Sequence, residues 1–425
     1  MTESRSNENT PPAALEPIAM AALDAGRLLM ESGASAHNVD ALVAQVARGL
    51  GADRVDLRIG YASLAITVGV GDNGITRMRK VGPIGVNLRL DRAVKQLANR
   101  VQLGGLTPEQ TSDELERLAR EIPRHSAIFT AVAVGLACAA FGRLLKADWL
   151  ATGPIFVGAT IAQLVRRAMA ARHVNVFIGA AVIAFVGSVI GGFGARLAGS
   201  HTVATAMIAA ILLLVPGVPS LNAQNDILDG RPTLGSARSV WVVVILIFAT
   251  VGLWLGQVLL REGQGNAGAG EANSLLHQTL CGAIAAAGFG ILFNIGLRSL
   301  AWCTLSGALA LAVRTICLDQ GWSLEAASFV AALAVGSAVR VLCAYAEISQ
   351  DALDVCGCIP MVPGSFAAKA ILGLFALTSP SLMSGTDTLM TAVEYTLRVL
   401  FTIGAIGTGL AIPMLLLRVR LGKAS

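Results

Sequence analysis

Leu214-Val215-Pro216-Gly217-Val218-Pro219-Ser220-Leu221-Asn222-Ala223 and Ile359-Pro360-Met361-Val362-Pro363-Gly364-Ser365 decide how the chain folds, because each puts a Val-Pro-Gly break inside an apolar run. Proline removes a backbone donor and clashes with the preceding helical turn, and the glycine after it opens conformations closed to other residues. Each run therefore predicts an interrupted helix. In hydrocarbon the freed amides and carbonyls require protein, water or a ligand as partner.

The composition around these breaks is that of a membrane protein. Of 425 residues, 54% are hydrophobic and only 14% charged, with a mean hydropathy of +0.67; a soluble domain carries roughly 25% charge. The 46 glycines lie inside apolar runs without a collagen period, as expected of close helix contacts in lipid. A net charge of +5, scattered along the chain, argues against nucleic acid as a partner. The seven cysteines show no CxxC pair and read as small reduced core residues, so no metal is expected.

Charge is uneven along the chain. Residues 1–126 hold fifteen basic and fifteen acidic residues, about half of the total, which places a soluble domain before a membrane domain. Residues 1–12 are polar, lack a signal-peptide pattern and read as a disordered lead, leaving the N-terminus in the cytoplasm. From 13 to 126 the pattern predicts a cytoplasmic α/β domain in the order helix, helix, three strands, helix, helix. Leu15, Ile18, Ala22, Ala25 and Leu29 keep helical spacing up to Gly33, and Ser35 is placed to cap a second helix with Val39, Leu42, Val43, Val46 and Leu50 as its stripe. Val55, Leu57, Ile59 and then Leu64, Ile66, Val68 change to period two, and Gly71-Asp72-Asn73-Gly74 is a turn before a strand around Ile75 to Val81. Leu90, Val94, Leu97 and Val101 return to helical spacing, and Thr107-Pro108-Glu109-Gln110 is a capping box opening the last helix.

A span needs about 20 apolar residues, because a rise of about 1.5 Å per residue must cover roughly 30 Å of hydrocarbon. About ten runs qualify: Ala127 to Leu145, Trp149 to Val165, Val174 to Phe193, Thr202 to Val218, Val240 to Leu260, Leu276 to Phe293, Leu300 to Leu318, Leu324 to Ala344, Ile359 to Leu377 and Val393 to Leu417. They form a first five-span half at 127–260, a linker at 261–275, a second five-span half at 276–418 and a cytoplasmic tail at 419–425. Arg166, Arg167, Arg172, Arg231, Arg238, Arg298, Arg418, Arg420 and Lys423 then fall on the cytoplasmic side, against Arg143, Lys146, Arg196, Arg261 and Arg314 outside. An odd number of spans per half would insert the halves in opposite senses, the condition for an inverted repeat, and both Val-Pro-Gly breaks fall in the fourth span of their half.

The polar residues beside the breaks are the candidate site: Pro216, Gly217, Ser220, Asn222, Asn225 and Asp226 in the first half, Pro363, Gly364, Ser365 and Lys369 in the second. Asp226 would attract an ammonium or carry a proton, Lys369 would attract a carboxylate, and the amides and Ser365 would supply neutral hydrogen bonds. The same pattern also fits plain kinks, with Asp226 in a solvated loop before Asp229-Gly230-Arg231-Pro232 and Lys369 snorkelling to the surface. Ser35, His37 and Asp40 lack diagnostic catalytic spacing, and Arg340, Glu347, Asp351 and Asp354 read as a charged rim. No Walker-type phosphate loop is present, so no nucleotide or other cofactor is expected.

The run Leu29-Met30-Glu31-Ser32-Gly33-Ala34-Ser35, the segment from Leu214 to Ala223 with Asp226 after it, and Ile359 to Ser365 together resemble the two halves of the threonine/serine exporter family, fused in one chain. The resemblance extends from about Leu15 to Leu417. It implies a cytoplasmic-membrane exporter of small polar metabolites, typically threonine and serine, driven by the proton motive force, and two-subunit relatives are linked to dicarboxylate export. Where the family often has a basic residue near His37, this chain reads His37-Asn38-Val39-Asp40. The expected partners are a small-molecule substrate, protons and the lipid bilayer, and glycine-rich spans permit contacts between copies in a homo-oligomer. A membrane-embedded hydrolase or a ligand sensor are the other classes compatible with this organisation.

Overall fold

The computed structural model describes residues 12–262, 274–345, 356–377 and 385–421. The lead before Pro12, most of the linker at 261–275, the acidic rim residues Glu347, Asp351 and Asp354, and the end of the tail lie outside the described residues. The chain divides into two compact units, residues 1–124 with 222–238, and residues 125–221 with 239–425. Residues 222–238, assigned above to the first membrane half, thus pack with the N-terminal unit.

That unit begins with α1 (Pro12–Glu31) and α2 (Ala36–Gly49), followed by β1 (Arg54–Ile59), β2 (Ser63–Val70) and β3 (Asn73–Lys80), then α3 (Leu88–Gln102) and α4 (Pro108–Glu121). The strands form one antiparallel meander in the order β1-β2-β3. The domain is therefore not α/β in the strict sense, since its helices flank consecutive hairpins instead of alternating with parallel strands. Val70 pairs with Asn73, so only Gly71 and Asp72 are left to turn, and Gly71 takes φ +57°, a conformation that glycine adopts without strain. Leu64, Ile66 and Val68 of the central strand share one buried core with Leu23 and Leu29 of α1, Val39, Val43 and Val46 of α2, and Val94, Leu97 and Val101 of α3. At the start of α4 the capping box forms as its sequence dictates: Gln110 N–H donates to Thr107 Oγ1 and Thr107 N–H to Gln110 Oε1.

The second unit is helical. It holds α5 (Ala127–Leu144), α6 (Trp149–Ala171), α7 (Val176–Leu197), α8 (Val203–Ala209), the 3-10 turn Leu212–Leu214 and the first turn of α9 (Gly217–Leu228). It continues with α10 (Pro232–Leu260) from Ser239 onward, α11 (Leu275–Leu292), α12 (Leu297–Asp319), α13 (Leu324–Tyr345), the 3-10 turn Ile359–Met361, α14 (Gly364–Leu377) and α15 (Gly385–Leu421). Among the described residues seven helices are long and apolar enough to cross a membrane, or eight if the bent pair Val203–Leu214 and Gly217–Leu228 counts as one span. The remaining two expected spans correspond to α6, which ends among arginines, and to α14, which has only 14 residues. Glycines make the close contacts expected of them: a Cβ at Gly282 would lie 2.8 Å from Gly307 O, and one at Gly307 would lie 2.7 Å from Gly282 O.

The helices α5 and α11 run beside one another in opposite directions. At one end His125 N–H donates to Asn294 Oδ1 and its Nε2 lies 2.9 Å from Ile295 O; at the other the Trp149 and His277 rings meet edge to face at 5.7 Å. Both helices stop in the same way, with a left-handed residue (Lys146 at φ +63°, Asn294 at φ +57°) and the next amide returning to a glycine carbonyl five residues back (Ala147 to Gly142, Ile295 to Gly290).

Asp148 fastens the α5–α6 connection to the one between α7 and α8. Its carboxylate accepts from Ala151 N, Ser200 Oγ and His201 N at 2.8 to 2.9 Å. Burial opposes ionisation here, but these hydrogen bonds outweigh it and hold the carboxyl below the ordinary aspartate value of 3.8. A carboxyl lowered on folding contributes stability above its unfolded value and loses that contribution as pH falls through the folded one. Asp148→Asn, which turns an amide donor toward the His201 N–H, is expected to lower the melting temperature in detergent at neutral pH. That difference should shrink as pH falls below the ordinary aspartate value and the folded carboxyl takes up its proton, whereas a pH-independent difference would mean that the charge is not what holds the loops.

Candidate functional site

The two Val-Pro-Gly segments adopt the same backbone. Each follows a 3-10 turn; Val215 N–H returns to Leu212 O at 3.1 Å, and Val362 N–H to Ile359 O at 3.0 Å. Both valines are extended, Val215 at φ −65° and ψ 118°, Val362 at φ −61° and ψ 127°. Gly217 N–H then bonds Val215 O at 2.9 Å and Gly364 N–H bonds Val362 O at 2.8 Å, after which each helix resumes, with Ser220 N–H bonded to Pro216 O and Ala367 N–H to Pro363 O. At the first break the axis bends by 60°. Because a helix satisfies no amide of its first turn internally, Val218 at one end and Ser365 and Phe366 at the other present N–H groups and the positive end of a helix dipole.

The breaks meet across one cavity of about 320 Å³, open solvent at its mouth included, lined by Phe141, Leu212, Val215, Gly217, Phe289, Phe293, Ile359, Val362 and Gly364. The lining falls into corresponding pairs from the two halves: Leu212 with Ile359, Val215 with Val362, Gly217 with Gly364. Phe141 and Phe289 form a fourth pair, edge to face at 5.7 Å, and Phe293 is the ninth lining residue, without a counterpart. Each glycine faces the other half's valine, so a Cβ on Gly217 would touch Val362 at 3.6 Å and one on Gly364 would collide with Val215.

Gly217 and Gly364 thus come together, with Pro216 and Pro363 next to them in the chain, while none of the polar candidates lines the cavity. Ser220 Oγ donates to Pro216 O within its own helix. Ser365 is buried one residue into α14, and Lys369, half-buried, holds its ammonium 5.6 Å from the Tyr395 ring centre. Asn222 and Asp226 belong to the N-terminal unit, where Asn222 Nδ2 donates to Gly33 O at 2.8 Å. Asn225 is half-buried on the same helix. Asp226 does not lie in a solvated loop: it is fully buried, 2.8 Å from Arg238 Nη1, and accepts the Ala36 N–H at 3.1 Å. It therefore does at α2 what Ser35 was expected to do, since Ser35 occupies the cap position without forming a side-chain cap bond. Near Arg238 lies Tyr61, whose hydroxyl burial pushes above the usual phenol value, with Arg238 opposing the shift.

Sequence reasoning missed Phe141, Phe289 and Arg238. A signal for the first two exists in the echo Phe141-Gly142-Arg143-Leu144 and Phe289-Gly290-Ile291-Leu292, each at the end of the first span of its half. In the sequence Arg238 reads only as a loop charge. Among the described residues no group of three or more metal-ligating side chains occurs.

Apolar helices interrupted around a shared cavity, in a chain whose described residues hold seven or eight candidate spans, place this molecule among multi-pass membrane proteins. Within them the chain belongs to the threonine/serine exporter family: the family described as "Putative threonine/serine exporter" matches residues 20–260, and that described as "Threonine/Serine exporter, ThrE" matches residues 278–416. It is thus the form that carries both halves in one polypeptide. The "Probable succinate transporter subunit YjjP" of Escherichia coli K12 is 30% identical over 229 residues, 53% of this chain and 87% of that protein. Its namesake in Klebsiella aerogenes is 29% identical over 235 residues, 54% of this chain and 88% of that protein. No solved structure matches the chain.

Proposed function

We propose that the protein is a secondary active exporter of small carboxylate-bearing metabolites, threonine and serine first, driven by the proton motive force across a cytoplasmic (inner) membrane. The observation that carries this reading is the meeting of two Pro-Gly helix breaks, one from each half, across a single cavity. Two helix N-termini border that cavity, and their unpaired amides and dipoles suit a carboxylate. The halves act as inverted repeats of five spans each, ten in all, with both chain termini in the cytoplasm. The matched breaks, the matched ends of α5 and α11 and the opposite directions of those two helices support the repeat. One half rocks against the other and exposes the cavity to each side in turn. Ser220, Ser365 and Lys369, adjacent to the breaks, serve substrate along its path, and no cofactor takes part.

A second substrate class, dicarboxylates, is favoured by the names of the two relatives above and by the same pair of helix ends, each of which suits one carboxylate. Proteoliposomes loaded in parallel with labelled threonine, serine and succinate, with and without an imposed proton gradient, separate the readings. Amino-acid efflux stimulated by the gradient is the expected result; efflux of succinate alone moves the assignment to dicarboxylates. If no compound leaves vesicles containing folded protein, the export reading fails for all three.

A further inference from the structure

Among the described residues, a dense polar constellation lies within the N-terminal unit, at the turn between α1 and α2. Four residues of the 222–238 segment close on it. Asn222 Nδ2 donates to Gly33 O at 2.8 Å, Arg238 Nη2 to Ala34 O at 3.4 Å, Asp226 Oδ1 accepts from Ala36 N at 3.1 Å, and Arg231 pairs with Asp40 at 2.6 Å. In the centre, the Asp226 carboxylate is fully buried and the Arg238 side chain is 4% exposed. One carboxylate thus neutralises two positive ends, the Arg238 guanidinium and the N-terminus of α2. Parting them would strand a buried charge, a far larger penalty than losing a surface pair.

Asp226 sits on α9, the helix that begins at Gly217 of the first break and stays continuous to Leu228. We propose that Asp226 is a positioning residue for transport: through Arg238 and the α2 N-terminus it clamps the far end of α9 to the α1–α2 turn, so that the N-terminal domain sets when the first break can move. This rests on the export reading above, with a different role for the carboxylate from the direct ammonium or proton ligand that its sequence position suggests.

The test uses the full-length protein in proteoliposomes and four variants, each verified as monodisperse. Asp226→Asn keeps an acceptor for the Ala36 amide but leaves Arg238 without its counter-charge; Asp226→Ala removes both; Arg238→Met removes the cation and Arg238→Lys conserves it. Amide exchange at residues 36–39 reads the clamp. Initial efflux rates against internal substrate concentration, per folded molecule, read transport. In Asp226→Ala, exchange at the first turn of α2 is expected to accelerate at least about tenfold. In Asp226→Asn and Arg238→Met the maximal rate should change about tenfold or more while KM stays within about twofold, and Arg238→Lys should recover most of the wild-type rate. A raised KM with unchanged exchange would make Asp226 a substrate ligand and overturn the proposal, as would variants with wild-type rate. A purely structural role predicts less folded protein with normal turnover per molecule, which also overturns it. If wild type moves none of the compounds, the export reading fails, while the exchange measurements still decide whether the clamp exists.

Discussion

Gly288→Leu is expected to yield no monodisperse protein in detergent. At Gly288 of α11 an added Cβ would collide with the backbone oxygen of Ala133 and lie 2.7 Å from the Cβ of Ala137, both on α5. Neither neighbour can swing away, because one is main chain and the other a methyl fixed to it. Relief requires the two helices to separate, and with them His125 from Ile295 and Phe141 from Phe289. Even Gly288→Ala should cost about 1–3 kcal/mol, the range for overpacking a well-filled core, and lower the melting temperature visibly. Gly153→Leu is the control, since nothing lies within 4 Å of a Cβ there and the position on α6 is exposed. Size-exclusion chromatography and thermal aggregation of the three variants check the ordering. A monodisperse Gly288→Leu protein that melts with wild type would show that α5 and α11 do not touch at this point.

The same contrast between backbone and side-chain information explains what the sequence could and could not reveal. Strand and turn positions around Gly71 were legible because period-two burial and a two-residue turn are local codes, and so was the Thr107-Gln110 capping box. Ser35 misled for a physical reason: its backbone has cap geometry, but the acceptor that serves the Ala36 amide comes from Asp226, 190 residues away. No local rule sees that distance. Hydropathy placed the end of the fourth span at Val218, whereas α9 continues to Leu228 because Gly33, Ala36 and Arg238 satisfy the polar groups of Asn222 and Asp226. The Val-Pro-Gly breaks were legible as chemistry, since proline and glycine act on the backbone wherever they stand. Phe141 and Phe289 were not, because on an all-apolar helix a cavity-lining ring and a lipid-facing one look alike.

The second large effect concerns the cavity, and it should be unequal between two glycines that the sequence makes look equivalent. Gly217→Ala adds a methyl that would sit 3.6 Å from Val362 Cγ2 and 3.7 Å from Ile359 Cγ1, ordinary van der Waals contact. Gly364→Ala drives its methyl into Val215, colliding with Cγ2 and approaching Cγ1 to 3.0 Å and Cβ to 3.2 Å. Val215 belongs to the opposite break, where the backbone bonds from Leu212 O to Val215 N and from Val215 O to Gly217 N leave little freedom to retreat. Gly364→Ala should therefore reduce initial efflux from proteoliposomes by about tenfold or more, equivalent to about 1.4 kcal/mol in the barrier, and Gly217→Ala by no more than about twofold. Val215→Ala removes both colliding methyls, so the Val215→Ala, Gly364→Ala double variant should recover most of the rate, with a coupling that the sum of the single effects does not predict. Melting temperatures of the same proteins provide a readout independent of substrate and should follow the same order. Equal losses at Gly217 and Gly364, or a double variant no better than Gly364→Ala alone, would mean that the two breaks do not press on one another across the cavity, and the shared site would have to be placed elsewhere.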